Sequence, residues 1–148
     1  MLRAAGRASQ NVEFVERLEQ VPAVVSAVAG ETNNLVLVEK FLGGKEYCIA
    51  VMGAGPAGAL AFSPVERCLE ADEKVFTSMD IKAITAERVR PMDPAAEADV
   101  VARLQELGEA VYNSFNLTSL VRLDIRADAQ GQLYILVSRQ QAGGLDSC

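Results

Sequence analysis

The chain contains no histidine and no tryptophan. Without histidine, imidazole acid–base catalysis and imidazole metal ligation are both excluded. The three cysteines (Cys48, Cys68 and Cys148) are odd in number and nowhere spaced as C-x-x-C. Neither a zinc ribbon nor a disulfide framework is indicated, and reduced thiols in a cytoplasmic setting are expected. Apolar runs stop short of the about 18 residues that a bilayer-crossing helix needs, so no membrane partner is expected. There is no run of Lys or Arg and the formal charge is −6. Nucleic acid is therefore not an expected partner, because nothing supplies phosphate neutralisation along a strand.

What is present describes a folded domain. The 148 residues suffice for one core, half of them are hydrophobic and 23% are charged, which argues against wholesale disorder. The Arg- and Ala-rich opening, free of acids, reads as a flexible segment over residues 1–10, with the domain occupying 11–148. Apolar positions at Val12, Val15, Leu18, Val21, Val25 and Val28 predict helical structure over 11–29, divided by Pro22. Strands are expected over 35–41 and 46–52, paired as a hairpin through Gly43-Gly44-Lys45. A further strand over 60–68 is interrupted by Pro64, and 75–81 reads as a loop or short strand. Asp93-Pro94 is a helix start, and Val100, Leu104, Leu107, Val111 and Phe115 form the stripe of the helix that follows. A closing hairpin joins 120–126 to 132–138 through Asp128–Gly131. The order implies an α+β fold, a largely antiparallel sheet with flanking helices.

Two patterns bear on chemistry. Cys48 to Gly58 reads as a strand followed by G-x-G-x-x-G, the spelling of a dinucleotide-binding loop. That loop requires a helix to open at the glycines. Pro64 would lie inside the helix at a cost of about 3 kcal/mol, and the acidic residue expected further on is met only by Asp80, somewhat late. A glycine-rich loop between two strands is expected instead. In the closing hairpin, Arg122, Asp124 and Arg126 alternate with Val121, Leu123 and Ile125 and so share one face. Arginine beside a carboxylate suits anions and metal, yet residues 133–137 offer no Glu, Asp or Asn to complete a metal site.

Val38-Glu-Lys-Phe-Leu-Gly-Gly-Lys-Glu-Tyr-Cys-Ile-Ala-Val-Met-Gly53 resembles the V-E-x-[FW]-[IL]-x-G-x-E-[FY]-[TS]-V-[AG]-[VI]-[LM]-G segment of D-alanine–D-alanine ligases, members of the ATP-grasp superfamily. Phe76-Thr-Ser-Met-Asp-Ile-Lys82 is similar to the family's F-Y-D-Y-x-x-K loop. Leu120 to Arg126 is similar to its G-x-[AG]-R-[VI]-D-[FV] strand, and Leu133-Tyr-Ile-Leu136 to L-Y-[LV]-L-E-[VA]-N. The pieces occur in the family's order. The resemblance implies the C-terminal ATP-grasp subdomain, binding ATP and Mg²⁺. It places Glu39, Lys40, Leu42 and Leu136 around adenine, Glu46 at the ribose hydroxyls, Phe76 against the base and Lys82 on phosphate. Asp124 becomes a magnesium ligand, and Arg122 the residue that stabilises charge on an acyl-phosphate and tetrahedral intermediate.

The departures are specific. The family's second metal carboxylate falls on Val137 and its Asn ligand on Arg139, so the Mg²⁺ site is expected to be weak or lost. Arg139 is a candidate to neutralise phosphates directly. Nothing before Asn11 matches the family's substrate domain, its first ATP-grasp subdomain or its glycine-rich lid. The expectation is a ligase-like domain that binds adenine nucleotide with impaired carboxylate–amine ligase activity. The alternative is a non-catalytic scaffold. In either case a homodimer, a partner chain or a larger parent protein would cover the missing half.

Overall fold

A computed structural model of the protein describes residues 2–6, 11–32, 35–70, 73–74 and 85–140. They fall into two compact units that meet in sequence between Leu42 and Gly43.

In the first unit, strand β1 (Leu2–Gly6) is flanked by antiparallel partners on both sides, β2 (Asn11–Val15) and β3 (Leu37–Lys40). Helix α1 (Val21–Thr32) packs on β1 and β2. Val15 and Val28 are buried, and the rings of Phe14 and Phe41 meet edge to face with centroids 5.2 Å apart. Two expectations change here. The opening residues, read as flexible, include the central strand, because hydrogen bonding from both neighbours overrides a sequence with no alternation of its own. The helix expected from residue 11 begins only at Val21. Leu18, which completed the apparent stripe, is 72% exposed, whereas Val12-Glu-Phe14 alternates as a strand does. Pro22 opens the helix rather than dividing it, since no N–H is required in the first turn.

The second unit is an antiparallel sheet in the order β7-β6-β4-β8-β9, with β5 also paired to β4. Its strands are β4 (Glu46–Gly53), β5 (Ala59–Ala61), β6 (Val65–Arg67), β7 (Val89–Pro91), β8 (Val121–Ala127) and β9 (Leu133–Gln140). Helix α2 (Ala98–Ser114) covers one face. Tyr47, Ile49 and Val51 from β4 and Val121, Leu123 and Ile125 from β8 pack there with Val101, Leu104 and Tyr112. Val100, Leu104, Leu107 and Val111 of the expected stripe pack on this core, whereas Phe115 is 73% exposed and the most buried line runs through Gly108. A Cβ at Gly108 would sit 3.0 Å from Val51 Cγ2, so the helix rests on β4 at its smallest residue. Hydropathy gives that residue no weight.

Asp93 closes the turn that leads into α2. Its Oδ1 accepts the N–H groups of Ala95 and Ala96 at 2.8 and 3.2 Å, and Glu97 Oε2 accepts the Asp93 N–H at 3.0 Å. These bonds close a turn over 93–97, and α2 itself begins one turn later than the Asp93-Pro94 start that the sequence implied, at Ala98 with Glu97 as its N-cap. The strand expected over 60–68 does run along β4, broken at buried Pro64 into β5 and β6. The expected hairpin between β3 and β4 does not form, as the two strands belong to different sheets. Gly43-Gly44-Lys45 is instead tied to the end of β8: Gly44 N–H donates to Ala127 O, and Ala127 N–H to Lys45 O. The glycine-rich stretch is the connection of the β4–β5 hairpin, closed by Ala54 N–H to Gly58 O at 2.6 Å. No helix opens at its glycines beyond the single turn Gly55–Ala57.

Candidate functional site

The face of the second sheet turned away from α2 carries a cluster of charged side chains. Strand alternation sends Tyr47, Ile49 and Val51 to the helix and leaves Glu46 and Cys48 on the other side. The register sets Glu46 opposite both Arg67 and Arg126, and Cys48 opposite Asp124. Arg122, Asp124 and Arg126 lie on this face, as the alternation of β8 implied.

These residues form one ionic cluster. Arg67 Nη1 donates to Glu46 Oε1 at 2.9 Å, and Arg67 Nη2 to Asp124 Oδ1 at 2.9 Å. Arg122 reaches the same carboxylate, with Nε 3.2 Å from Oδ1 and Nη2 3.3 Å from Oδ2. Arg126 Nη1 lies 3.6 Å from Glu46 Oε2, its Nη2 donates to Lys74 O at 2.6 Å, and its Nε to Gly44 O at 3.4 Å. Glu46 and Arg126 are buried, whereas the Arg122 side chain is 44% exposed. Burial works against the charge of Arg67, but the Asp124 and Glu46 carboxylates outweigh it and hold its pKa above the ordinary value. Burial likewise pushes the Cys48 thiol up, with Arg67 opposing and Asp124 adding to the shift.

A second network lies on the helix side. Lys45 Nζ is 3.1 Å from Glu66 Oε2, Arg90 also pairs with Glu66, and Arg90 Nη1 is 2.8 Å from Glu97 Oε2. It ties β6 and β7 to the start of α2.

The expected site residues are distributed as follows. Arg122, Asp124 and Glu46 come together in the cluster. Leu136 is the extra residue of a bulge in β9, between the partners of Asp124 (Val137) and Ile125 (Ile135). Glu39, half buried, and Lys40, exposed, lie on β3, and buried Leu42 follows it; all three belong to the first unit. Phe76 and Lys82 lie outside the described residues. Sequence reasoning gave no role to Arg67, Arg126 or Cys48. The signal for Arg126 was its parity with Arg122. Arg67 carried none, because it belongs to another strand.

The cluster does not fit a magnesium site. Mg²⁺ needs hard oxygen ligands in near-octahedral array. Here both oxygens of Asp124 face guanidinium groups, its Cα partners are Cys48 and Val137, and Glu46 is held between two arginines. Among the described residues no group of three or more His, Cys, Asp or Glu side chains could hold a metal ion.

A family model described as "D-ala D-ala ligase C-terminus" matches residues 4–138. The chain belongs to this family. Among its relatives, the D-alanine–D-alanine ligase of Actinobacillus pleuropneumoniae serotype 5b is 30% identical over 129 residues, covering 86% of this chain and 39% of the relative. That of Geobacter sulfurreducens is 26% identical over 128 residues, covering 86% and 38%. The chain thus spans about two fifths of the length of the curated relatives it matches. Among solved structures, the D-alanine-D-alanine ligase from Coxiella burnetii superposes with a TM-score of 0.66 at 16% identity, over 94% of this chain and 35% of that one. A biotin carboxylase complex from Campylobacter jejuni gives 0.68 at 8% identity, over 97% and 32%. The fold of this ligase C-terminus domain is therefore the α+β ATP-grasp C-terminal subdomain that the sequence implied.

Proposed function

We propose that this ligase C-terminus domain binds adenine nucleotide through arginine rather than through magnesium, and that its carboxylate–amine ligase chemistry is impaired. The observation that carries the reading is the charge of the β4–β8 face, where three arginines (Arg67, Arg122, Arg126) meet two carboxylates (Glu46, Asp124). Among the described residues the arginines of this cluster outnumber its carboxylates, and the most exposed of them, Arg122, bound to Asp124 at one edge, has the remainder of its fork of donors available to a phosphate. Bound ATP supplies the phosphoryl group by which ligases of this type activate a carboxylate. In this chain Arg122 is the group suited to hold phosphate or developing oxyanion charge, while the family's metal carboxylate is already occupied. Binding without efficient transfer follows.

Calorimetric titration with ATP and ADP, with and without Mg²⁺, tests this on the wild type and on Arg122→Ala, whose exposed side chain leaves the core untouched. Binding that needs no magnesium and weakens in Arg122→Ala is expected. No heat at millimolar nucleotide would refute the reading and leave the second one, a non-catalytic scaffold that works with a partner chain or a larger parent protein. One observation favours that alternative: Glu46, the ribose position by family resemblance, is buried and engaged at both oxygens.

A further inference from the structure

We infer that the outer edge of β5 is a docking surface for a second copy of this chain, and that Glu109 on α2 guards it. β5 pairs with β4 on one side, and among the described residues no strand lies on its other side. The register places Leu60 opposite Met52, and Phe62 N–H donates to Ala50 O at 2.9 Å. Backbone groups alternate in direction along an antiparallel strand. Leu60 and Phe62 therefore turn theirs toward β4, whereas Ala59 and Ala61 turn theirs outward. Edge strands are ordinarily blunted by charge, proline or a bulge of their own. The run Ala59-Leu-Ala-Phe-Ser63 has no charge and no proline. Its protection is borrowed from the helix: Glu109 Oε1 accepts the outward N–H of Ala61 at 3.3 Å. That bond is longer than the about 2.7–3.2 Å usual for N–H···O, so a backbone carbonyl can displace it.

The occupant that fits is the same strand. Two copies of β5 laid antiparallel about a two-fold axis at Leu60 set Ala61 opposite the partner's Ala59, and Ala59 opposite the partner's Ala61. Each outward N–H then meets an outward carbonyl, and the contact is isologous and closed. On the face away from α2, Leu60 meets the partner's Leu60, with Met52 and Phe62 of each copy beside them. Leu60, Met52 and Phe62 are 49%, 40% and 43% exposed, and apolar cross-strand pairs of this kind stabilise a sheet. An edge without charge gives a foreign strand little to select, whereas the two-fold matches apolar to apolar and donor to acceptor by itself. Glu109 opposes the contact twice over. Its carboxylate must leave Ala61, and it is drawn toward the partner's Glu109 across the axis.

The inference is independent of nucleotide binding and its test contains no nucleotide, so either can fail alone. Sedimentation from micromolar to millimolar protein compares the wild type with Glu109→Ala, Glu109→Ala/Leu60→Lys and Glu109→Ala/Ala61→Pro. Glu109→Ala should dimerise at least about tenfold more tightly than the wild type, and go no further than the dimer. Amide exchange at Ala59, read by NMR, should slow in Glu109→Ala as its concentration rises, which a merely structural role for Glu109 would not produce. Leu60→Lys, which sets like charges face to face at the axis, should restore the monomer. Ala61→Pro should do the same, since it removes the outward donor at an edge where proline is tolerated. Should the proline variant not fold, Leu60→Lys decides, because Leu60 lies outside the core. The inference is overturned if Glu109→Ala associates no better than the wild type. It is overturned equally if Glu109→Ala grows beyond a dimer, or if its association survives Leu60→Lys.

Discussion

Gly44→Ala tests the seam that holds the ionic cluster in place. Gly44 lies against the end of β8, where its N–H donates to Ala127 O at 2.9 Å and Ala127 N–H donates to Lys45 O at 2.8 Å. A Cβ on residue 44 would lie 2.5 Å from Asp128 O, 2.6 Å from Ala127 O and 2.9 Å from Ala127 C, all backbone atoms. Ordinary contact begins at 3.4 Å, so the chain must withdraw by about 0.9 Å. That displacement breaks both hydrogen bonds, at about 1 kcal/mol each, and adds an overpacking cost of about 1–3 kcal/mol. Destabilisation of about 3 kcal/mol or more follows, together with loss of the Gly44 O acceptor used by Arg126. Urea unfolding followed by circular dichroism should show the midpoint lowered by about 1–2 M with an unchanged slope. A variant within about 0.5 kcal/mol of the wild type would show that Gly44 does not abut β8, and would refute the packing described for residues 43–45.

Three further outcomes are expected. Glu97 is held to about 2 by the hydrogen bond from Arg90 and by the Asp93 N–H, against an ordinary value of 4.5. A depressed carboxyl contributes stability that is present above pH 4.5 and lost as pH falls toward 2. Glu97→Gln should therefore flatten the acid limb of the stability profile in that window; an unchanged limb would remove Glu97 from the account. The Tyr112 hydroxyl is buried without a hydrogen-bond partner among the described residues. Tyr112→Phe is thus expected to melt at the wild-type temperature or above it, and a loss exceeding about 1 kcal/mol would mean the hydroxyl is satisfied. The raised thiol of Cys48 should make it slow to alkylate at neutral pH, with the rate climbing only above the ordinary thiol range. Site-resolved mass spectrometry would read this directly, and fast labelling of Cys48 at pH 7 would contradict it.

The strands of the second sheet other than β7, and helix α2, were legible because their signals are local; β7 (Val89–Pro91), three residues long, carried no such signal. The apolar run over 46–52 and the alternation in 120–126 gave both central strands, and Asp93-Pro94 gave a helix start about one turn before the observed one at Ala98. Local signals failed where partners decide the conformation. Leu2–Gly6 becomes a strand because β2 and β3 lie beside it, and β3 does not pair with β4 despite a short glycine connection. Of the expected α2 stripe, Val100, Leu104, Leu107 and Val111 pack on the core and only Phe115 does not, while the most buried line runs through Gly108, which marks close approach rather than hydrophobicity.

The sequence by itself determined the fold class and the family. It did so through residues that carry meaning within a short stretch of chain: the Val38–Gly53 segment, Arg122 beside Asp124, and Val137 and Arg139 where the resemblance expects metal ligands. Only the tertiary structure decided what becomes of Asp124. The cation that occupies it, Arg67, lies 57 residues away in the chain. The two meet because β4 sits between β6 and β8 and its register sets Glu46 opposite Arg67 and Cys48 opposite Asp124. Strand order is set by packing over the whole sheet, so no local pattern could have announced that meeting.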